Sequence, residues 1–240
     1  MNEIRLQKFF TDAGVMSRRA AEKEIQNGNV KVNGRVAELG VKVNPTKDII
    51  TFNGKRIVPQ NKEYHYLIIN KPRGYICTMN DPQGRKCVTE LVKDYPHRVY
   101  PVGRLDMISE GILLMTDDGD LANKMIHPSH SIPKVYRVKV EGEVSEEQYT
   151  ALTSPMIIDG YKIRPVEVEI TSSDESGTVM KMTLKEGRNR QIRKMCESVG
   201  LAVKRLNRVS IGTLKLNNLR LGTWRELEED EVKYLKNNVK

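Results

Sequence analysis

Residues 99–106 read Val99-Tyr100-Pro101-Val102-Gly103-Arg104-Leu105-Asp106, and the apolar run Ile112-Leu113-Leu114-Met115 follows shortly afterwards. Short apolar runs of this kind are typical of buried strands, so the pattern predicts two strands on either side of a turn. The turn carries one carboxylate, Asp106, beside the cationic Arg104. A single aspartate in a turn is most often a turn-former or a helix cap. A catalytic interpretation therefore depends on the rest of the chain.

Composition favours a globular protein with a polyanionic partner. The 240 residues include 40 lysines and arginines against 31 aspartates and glutamates, which gives a net charge of +9. Such an excess most often matches nucleic acid, although a merely lysine-rich soluble protein has the same composition. Aromatic residues make up only 5% of the chain, which argues against a long platform for stacking single-stranded bases.

Sequence patterns argue against several protein classes. No apolar run reaches the roughly 18 residues that cross a bilayer, and residues 1–5 lack the apolar segment of a signal peptide. The three cysteines show no paired spacing, so neither a disulfide framework nor a zinc ribbon is indicated. The histidines of His127-Pro128-Ser129-His130 lack partner ligands for a metal site. The sequence thus predicts a cytoplasmic, metal-free protein with reduced thiols and no membrane segment.

The chain divides into a small and a large predicted domain. Residues 1–60 hold 11 basic and 6 acidic side chains, and the polar stretch Val58-Pro59-Gln60-Asn61-Lys62-Glu63 is typical of a linker. We therefore expect one domain at 1–60 and another at 61–240. In the first, helical spacing predicts helices at 5–13 and after Ser17, followed by two strand-and-turn patterns ending in Asn-Gly.

The larger domain shows more strand patterns than helix patterns. Strands are predicted at 66–69, 135–140, 165–170, 179–184 and 203–206, and helices at 120–126, 145–152, 189–199 and 228–235. Because the strands come partly in runs, we expect an α+β fold with a mostly antiparallel sheet and flanking helices.

The basic stretch 186–195 predicts an amphipathic helix. Its inner face is formed by residues at helical spacing, namely Ile192, Met195, Cys196 and Val199. Gln191 and Arg193 flank this face, so Arg193 lies where it can reach into a pocket. Arg188 and Arg190 fall in the expected first turn, where cations oppose the helix dipole but suit anion binding. A solvated basic helix face has the same pattern.

Two known families share these motifs. The segments 5–9, 14–21 and 28–34 together resemble the RNA-binding module first described in ribosomal protein S-four. That resemblance, with the cationic pair Arg18-Arg19 at a helix start as a phosphate cradle, implies a set of RNA contacts in the first domain. They are Arg5, Lys8, Ser17, Arg18, Arg19, Lys23, Lys31, Asn33 and Arg35. A solvated basic corner remains the alternative for the cationic pair.

In the larger domain, four segments occur in an order that resembles one family of ribosomal RNA pseudouridine synthases. That family includes type A, which acts on the small ribosomal subunit, and types B, E and F, which act on the large one. The segments are Lys71-Pro72-Arg73-Gly74, Gly103-Arg104-Leu105-Asp106 with its following strand, Lys134-Val135-Tyr136-Arg137-Val138, and 186–195. The family commonly has Thr where Ser109 stands and Leu where Ile112 stands. Both differences are mild.

The resemblance implies a cofactor-free isomerisation of uridine. Asp106 would be the essential carboxylate, which either attacks C1′ or removes the C2′ proton, and both routes remain open. Arg193 would hold Asp106 ionised through charge-assisted hydrogen bonds. Tyr136 would stack on the uracil and is a candidate to take the C5 proton, although an alternating strand residue has the same spacing. Arg104 would serve phosphate or base-flipping contacts.

The resemblance also implies RNA contacts around the catalytic residues. They are Lys71, Pro72, Gly74, Gly103, Arg104, Leu105, Arg188, Asn189, Arg190 and Gln191. The partner would be ribosomal RNA or a pre-ribosomal particle, bound by a monomer. The loop 80–85 is similar to that of type B, which favours a target in the large subunit. A small-subunit target and the target of a type F enzyme stay open. A noncatalytic ribosome-assembly factor is the alternative function.

Overall fold

The computed structural model describes residues 3–58, 63–127 and 132–239. The chain forms two compact units, Met1–Glu63 and Tyr64–Lys240. Most of the stretch read as a linker lies outside the described residues, as does His130.

The first unit combines two helices with short strands. Its elements are β1 (Ile4–Arg5), α1 (Leu6–Asp12), α2 (Arg18–Gln26), β2 (Val30–Val32), β3 (Arg35–Val36), β4 (Lys42–Val43), β5 (Ile50–Phe52) and β6 (Lys55–Ile57). An antiparallel sheet has the strand order β3-β2-β5-β6, and β1 pairs separately with β4. Its core contains the buried side chains of α1, including Leu6, Phe9 and Phe10.

Local sequence accounts for the turns in this unit. The Ser17 hydroxyl accepts a hydrogen bond from the Ala20 N–H at 3.2 Å, which caps α2 as the sequence predicts. Asn33 and Gly34 have φ values of 51° and 82°, so both residues of this hairpin turn lie in the left-handed region that Asn-Gly favours.

The second unit is built on a nine-stranded sheet. The unit as a whole has eleven described strands, nine of them in this sheet: β7 (Tyr66–Lys71), β8 (Tyr100–Pro101), β9 (Glu110–Thr116), β10 (Lys134–Val140), β11 (Ile157–Ile158), β12 (Tyr161–Lys162), β13 (Glu167–Asp174), β14 (Gly177–Leu184), β15 (Val203–Ile211), β16 (Leu214–Lys215) and β17 (Trp224–Glu226). Its helices are α3 (Gly119–Ile126), α4 (Glu146–Thr153), α5 (Gln191–Ser198) and α6 (Glu229–Asn238), with a 3₁₀ helix at Val88–Val92.

The main sheet has the order β13-β14-β10-β15-β9-β7-β17, with β8 and β16 paired at its sides and β11–β12 forming a separate hairpin. The pair β15–β9 is parallel, and the other described pairs are antiparallel. The predicted α+β fold with a mostly antiparallel sheet is therefore confirmed. One apolar cluster covers the face that packs on α4 and α5, and another covers the face that packs on α3 and α6.

A glycine allows the parallel strands to meet in the centre of the sheet. Gly111 has a φ of 110°, and a Cβ there would lie 2.1 Å from the carbonyl oxygen of Arg208. Only glycine tolerates both the backbone conformation and this close approach. This contact brings the strand after the Asp106 turn directly against β15.

The predicted start of the basic helix is wrong. Helix α5 begins at Gln191, and Arg190 precedes it with a φ of 52°. Arg188 and Arg190 therefore lie in the preceding turn and not in the first turn of the helix. The left-handed backbone at Arg190 interrupts the helical path, so α5 does not extend back to Arg188.

Candidate active site

The turn that carries Asp106 is held from inside the protein. Lys71 at the end of β7 is completely buried, and its ammonium donates hydrogen bonds to the carbonyls of Ser109 (2.8 Å), Pro72 (3.0 Å) and Asp106 (3.1 Å). The Cys77 thiol lies against the other side of the turn, 3.2 Å from the Leu105 nitrogen and 3.3 Å from its carbonyl oxygen. Residues 105–109 are thus fixed by groups distant in sequence.

The prediction that Lys71 contacts RNA is wrong, because the side chain has no exposed surface. Burial lowers the pKa of Lys71, with nearby Cys77, Asp106 and Glu110 opposing that shift. Pro72 and Gly74 also stay outside the cleft around Asp106. The Gly74 N–H donates to the carbonyl of Met107 at 2.8 Å. Lys71 and Gly74 therefore support the turn 106–109 through hydrogen bonds to its backbone, on the side away from the cleft.

Arg193 lies beside Asp106, as the family resemblance implied. Its Nε is 3.8 Å from Oδ2 of Asp106, and the Arg190 Nη1 is 3.9 Å from the same oxygen. Both contacts are ion pairs and not the predicted hydrogen bonds, because an N–H···O hydrogen bond has a nitrogen–oxygen distance near 2.9 Å. The Arg193 Nε is buried without a hydrogen-bond partner among the described residues. Both guanidinium groups stabilise the carboxylate by charge.

The Arg193 side chain is anchored at its far end. Nη2 donates to the carbonyl of Ile108 at 3.3 Å and to the Ser109 hydroxyl at 3.4 Å, and Nη1 donates to the carbonyl of Val203 at 3.4 Å. Only 9% of the residue is exposed, and burial lowers its pKa from the ordinary arginine value, with Arg190 adding to the shift. The guanidinium is therefore positioned before any substrate arrives.

Asp106 opens onto a cleft of about 900 Å³ within the second unit. Its side chain is 30% exposed, and Tyr136 of β10 lines the same cleft with its ring almost fully buried. The cleft is strongly cationic. Its lysines and arginines are Arg104, Lys134, Lys185, Arg188, Arg190 and Arg208, and its carboxylates are Asp106 and Glu186. A cleft lined by one sign of charge concentrates ligands of the opposite sign.

The other predicted contacts of this domain fall into two groups. Arg104, Asn189 and Arg190 are exposed at the cleft, and Gly103 lies in its wall. Arg188 also lines it, with its guanidinium stacked on the ring of Tyr161.

Leu105 and Gln191 are buried instead. Leu105 belongs to the apolar core. The Gln191 amide donates to Glu186 at 3.2 Å and accepts from the Arg188 N–H at 3.1 Å, so it holds the turn before α5 in place.

The predicted RNA contacts of the first unit differ in their exposure and in their partners. Arg5, Arg18, Arg19, Lys23, Lys31 and Arg35 are exposed. The other three have partners within the unit. The half-buried Lys8 pairs with Asp12 at 2.7 Å, the half-buried Ser17 caps α2, and the exposed Asn33 bonds through its amide to Asp48 and to the Ile49 N–H.

Sequence reasoning missed three cations in the cleft, Lys134, Lys185 and Arg208. Lys185 directly precedes the basic stretch 186–195. Lys134 stands two residues before Tyr136, so strand alternation could have placed it on the same face. Arg208 could not be found this way. It faces Tyr136 only because β10 and β15 pair with a shifted register at this point.

No three histidine, cysteine, aspartate or glutamate side chains gather as a metal site in residues 3–58, 63–127 and 132–239. The same parts of the chain contain no helix with the length and apolar character of a membrane span.

Comparisons with known proteins give consistent results. The family model for RNA pseudouridylate synthase matches residues 65–198, and the model for the S4 domain matches residues 4–50. An uncharacterized RNA pseudouridine synthase of Aquifex aeolicus is 44% identical over 237 residues, which cover 98% of this chain and 94% of that protein. The ribosomal large subunit pseudouridine synthase B of Bacillus subtilis is 43% identical, with 97% and 95% covered.

A solved structure shares the fold. The crystal structure of a pseudouridylate synthase aligns with a TM-score of 0.69 at 29% identity, covering 97% of this chain and 99% of that one.

Proposed function

This chain belongs to the RNA pseudouridylate synthase family, and from that premise we propose that it converts one uridine of large-subunit ribosomal RNA into pseudouridine. The observation that carries the proposal is the placement of Asp106. It is a carboxylate 3.8 Å from a preset guanidinium, in a cationic cleft whose wall includes Tyr136. That arrangement suits a reaction on a base that belongs to a polyanionic chain such as RNA.

The reaction rearranges bonds without adding or removing atoms. The N1–C1′ bond of uridine breaks, the uracil turns within the cleft, and a C5–C1′ bond forms. C5 loses its proton and N1 gains one. Asp106 acts in its ionised form, either as the nucleophile at C1′ or as the base at C2′. Arg193 and Arg190 are the positioning residues for that charge.

Tyr136 is the proposed platform for the uracil. Its ring is nearly buried but borders both the main cleft and a small pocket of about 70 Å³ beside Asp106. A flat ring at that place would hold the base during its rotation. The phenol is also the candidate to relay the C5 proton, which it accepts as its own hydroxyl proton leaves.

The target uridine must leave its stack to reach Asp106, which costs a few kcal/mol. Contacts between the cationic side chains of the cleft and the RNA backbone would offset that cost, and binding should weaken steeply with salt. Arg104 is exposed beside Asp106 and is the candidate for phosphate or base-flipping contacts.

The first unit is the proposed second anchor on the RNA. Arg18 and Arg19 open α2 and are both exposed, so the helix start can receive a phosphate group. Because the unit is joined covalently to the catalytic unit, its binding raises the local concentration of RNA at the cleft. We assign the protein to ribosome maturation in the cytoplasm, acting as a monomer on ribosomal RNA or a pre-ribosomal particle.

The similarity to the Bacillus subtilis synthase B supports the choice of the large ribosomal subunit. The test is tritium release from two transcripts, one of large-subunit RNA, the other of small-subunit RNA, each carrying uridine labelled at C5. The proposal expects release from the large-subunit transcript, at one site. Release from the small-subunit transcript alone would reject the target and keep the chemistry.

A noncatalytic assembly factor would bind RNA and release no tritium from either transcript. That outcome would reject the proposed reaction outright.

A further inference from the structure

The cleft around Asp106 also holds two cations that the reaction does not use. Lys134 and Arg208 lie on neighbouring strands, with Arg208 directly opposite Tyr136 in the pair β10–β15. Both line the same cleft as Asp106. The walls around them are apolar and comprise Tyr100, Val102, Met125, Ile126 and Ile211.

Arg208 is a buried guanidinium with unused hydrogen-bonding capacity. Only 4% of the residue is exposed, and its Nε donates to the carbonyl of Ile112 at 2.8 Å. Its Nη2 is buried and has no hydrogen-bond partner in the described part of the chain. A buried donor without an acceptor costs about 1–3 kcal/mol, and an anion held in the cleft against this guanidinium would offset that cost by charge.

Lys134 adds a second positive charge without a countercharge. Its ammonium donates to the carbonyl of Ile132 at 3.1 Å, and no carboxylate of the described residues forms an ion pair with it or with Arg208. Burial, followed by the neighbouring charge of Arg208, lowers the pKa of Lys134 to about 8. Two positive charges in a partly buried cleft wall repel each other, and an anion bound between them would remove that repulsion.

We propose that Lys134 and Arg208 form an anion subsite that binds one backbone phosphate of the RNA, within one nucleotide of the isomerised uridine. The inference rests on the proposed function, since it takes RNA as the substrate. A planar guanidinium matches the oxygen pair of a phosphate, and the ammonium adds a point charge. The cleft has room for a nucleoside together with an adjoining phosphate. The apolar walls then border the sugar and base next to that phosphate.

The first test replaces single phosphates in a fragment of large-subunit RNA by neutral methylphosphonates and measures equilibrium binding. Wild-type protein should lose about tenfold in affinity at one position next to the target uridine. Lys134→Gln should show about tenfold weaker binding to the unmodified RNA and no further loss at that position. Its salt dependence should also be shallower by about 0.7 in log–log slope, as for one lost phosphate contact on a single strand.

The matched control is Lys139→Gln, because Lys139 lies on the same strand, bonds to Ser176 and stays outside the cleft. It should respond to the methylphosphonates as the wild type does. If the losses from Lys134→Gln and from the neutral phosphate simply added, the subsite would be rejected. Thermal melts of both variants verify that each is folded.

A second test does not require isomerisation, so it separates this inference from the proposed reaction. The pKa of Lys134 is measured by NMR in the free protein, with uridine, and with uridine 3′,5′-bisphosphate. The bisphosphate should raise that pKa by at least one unit and uridine should leave it unchanged. Equal values in all three samples would overturn the subsite even if tritium release succeeds.

Discussion

Replacing Lys71 by methionine tests whether the Asp106 turn depends on a buried lysine. The ammonium satisfies three carbonyl oxygens, at 2.8, 3.0 and 3.1 Å. Methionine has a similar length but donates no hydrogen bond. Each carbonyl left without a donor in a buried place costs about 1–3 kcal/mol, and the wild type already bears the cost of burying the ammonium. We therefore expect a net loss of about 2–4 kcal/mol in the free energy of unfolding.

The same change should slow the reaction, because the turn must move to admit water to those carbonyls. A displacement of about 1 Å at a reacting group can cost on the order of 100-fold in rate. Urea unfolding and single-turnover tritium release on Lys71→Met measure the two effects. The control is Lys93→Met, since Lys93 is exposed on the surface. A Lys71→Met protein within about 1 kcal/mol and threefold of wild type would refute the supporting role of the lysine.

Three further predictions follow from the packing and charges. Gly111→Ala should lower the free energy of unfolding by about 4 kcal/mol, because its Cβ would meet the Arg208 carbonyl at 2.1 Å; an unchanged urea midpoint would contradict this. Lys134→Met should unfold with a free energy about 1–2 kcal/mol higher than that of wild type at pH 7, because folding disfavours the protonated lysine. This difference in the free energy of unfolding should vanish as the pH rises from about 8 through 10.5, where the wild-type lysine loses its proton. A difference that does not change with pH in urea titrations would count against the prediction. Deleting residues 1–60 should weaken RNA binding at least tenfold and leave the single-turnover rate at saturating enzyme within about threefold; a collapse of that rate would show that the first unit takes part in the chemical step.

The sequence predicts elements whose cause is local. The inner face of α5 follows from apolar spacing, and the α2 cap follows from Ser17 before the helix. The Asn-Gly turns follow from the preference of those residues for positive φ. In each case the deciding contacts lie within a few residues of one another.

Features that depend on contacts between residues far apart in sequence, or on an unusual backbone conformation, could not be predicted. A lysine in a Lys-Pro turn is normally solvated, and the burial of Lys71 requires β7 to pair with β9 so that the 106–109 turn closes over it. The orientation of Arg190 depends on a left-handed backbone that arginine rarely adopts. The partnership of Arg193 with Asp106 followed from family resemblance, and its 3.8 Å separation required the structure.

The requirement for the Asp106 carboxylate is measured most directly by single-turnover tritium release with Asp106→Asn, together with the equilibrium affinity of that variant for RNA. The amide keeps the shape of the side chain and removes its charge, so we expect no release above background and an affinity within a few-fold of wild type. Asp174→Asn, on the hairpin β13–β14 and outside the cleft, should retain full activity. Formation of pseudouridine by Asp106→Asn at a rate near that of wild type would show that the reaction does not require the Asp106 carboxylate.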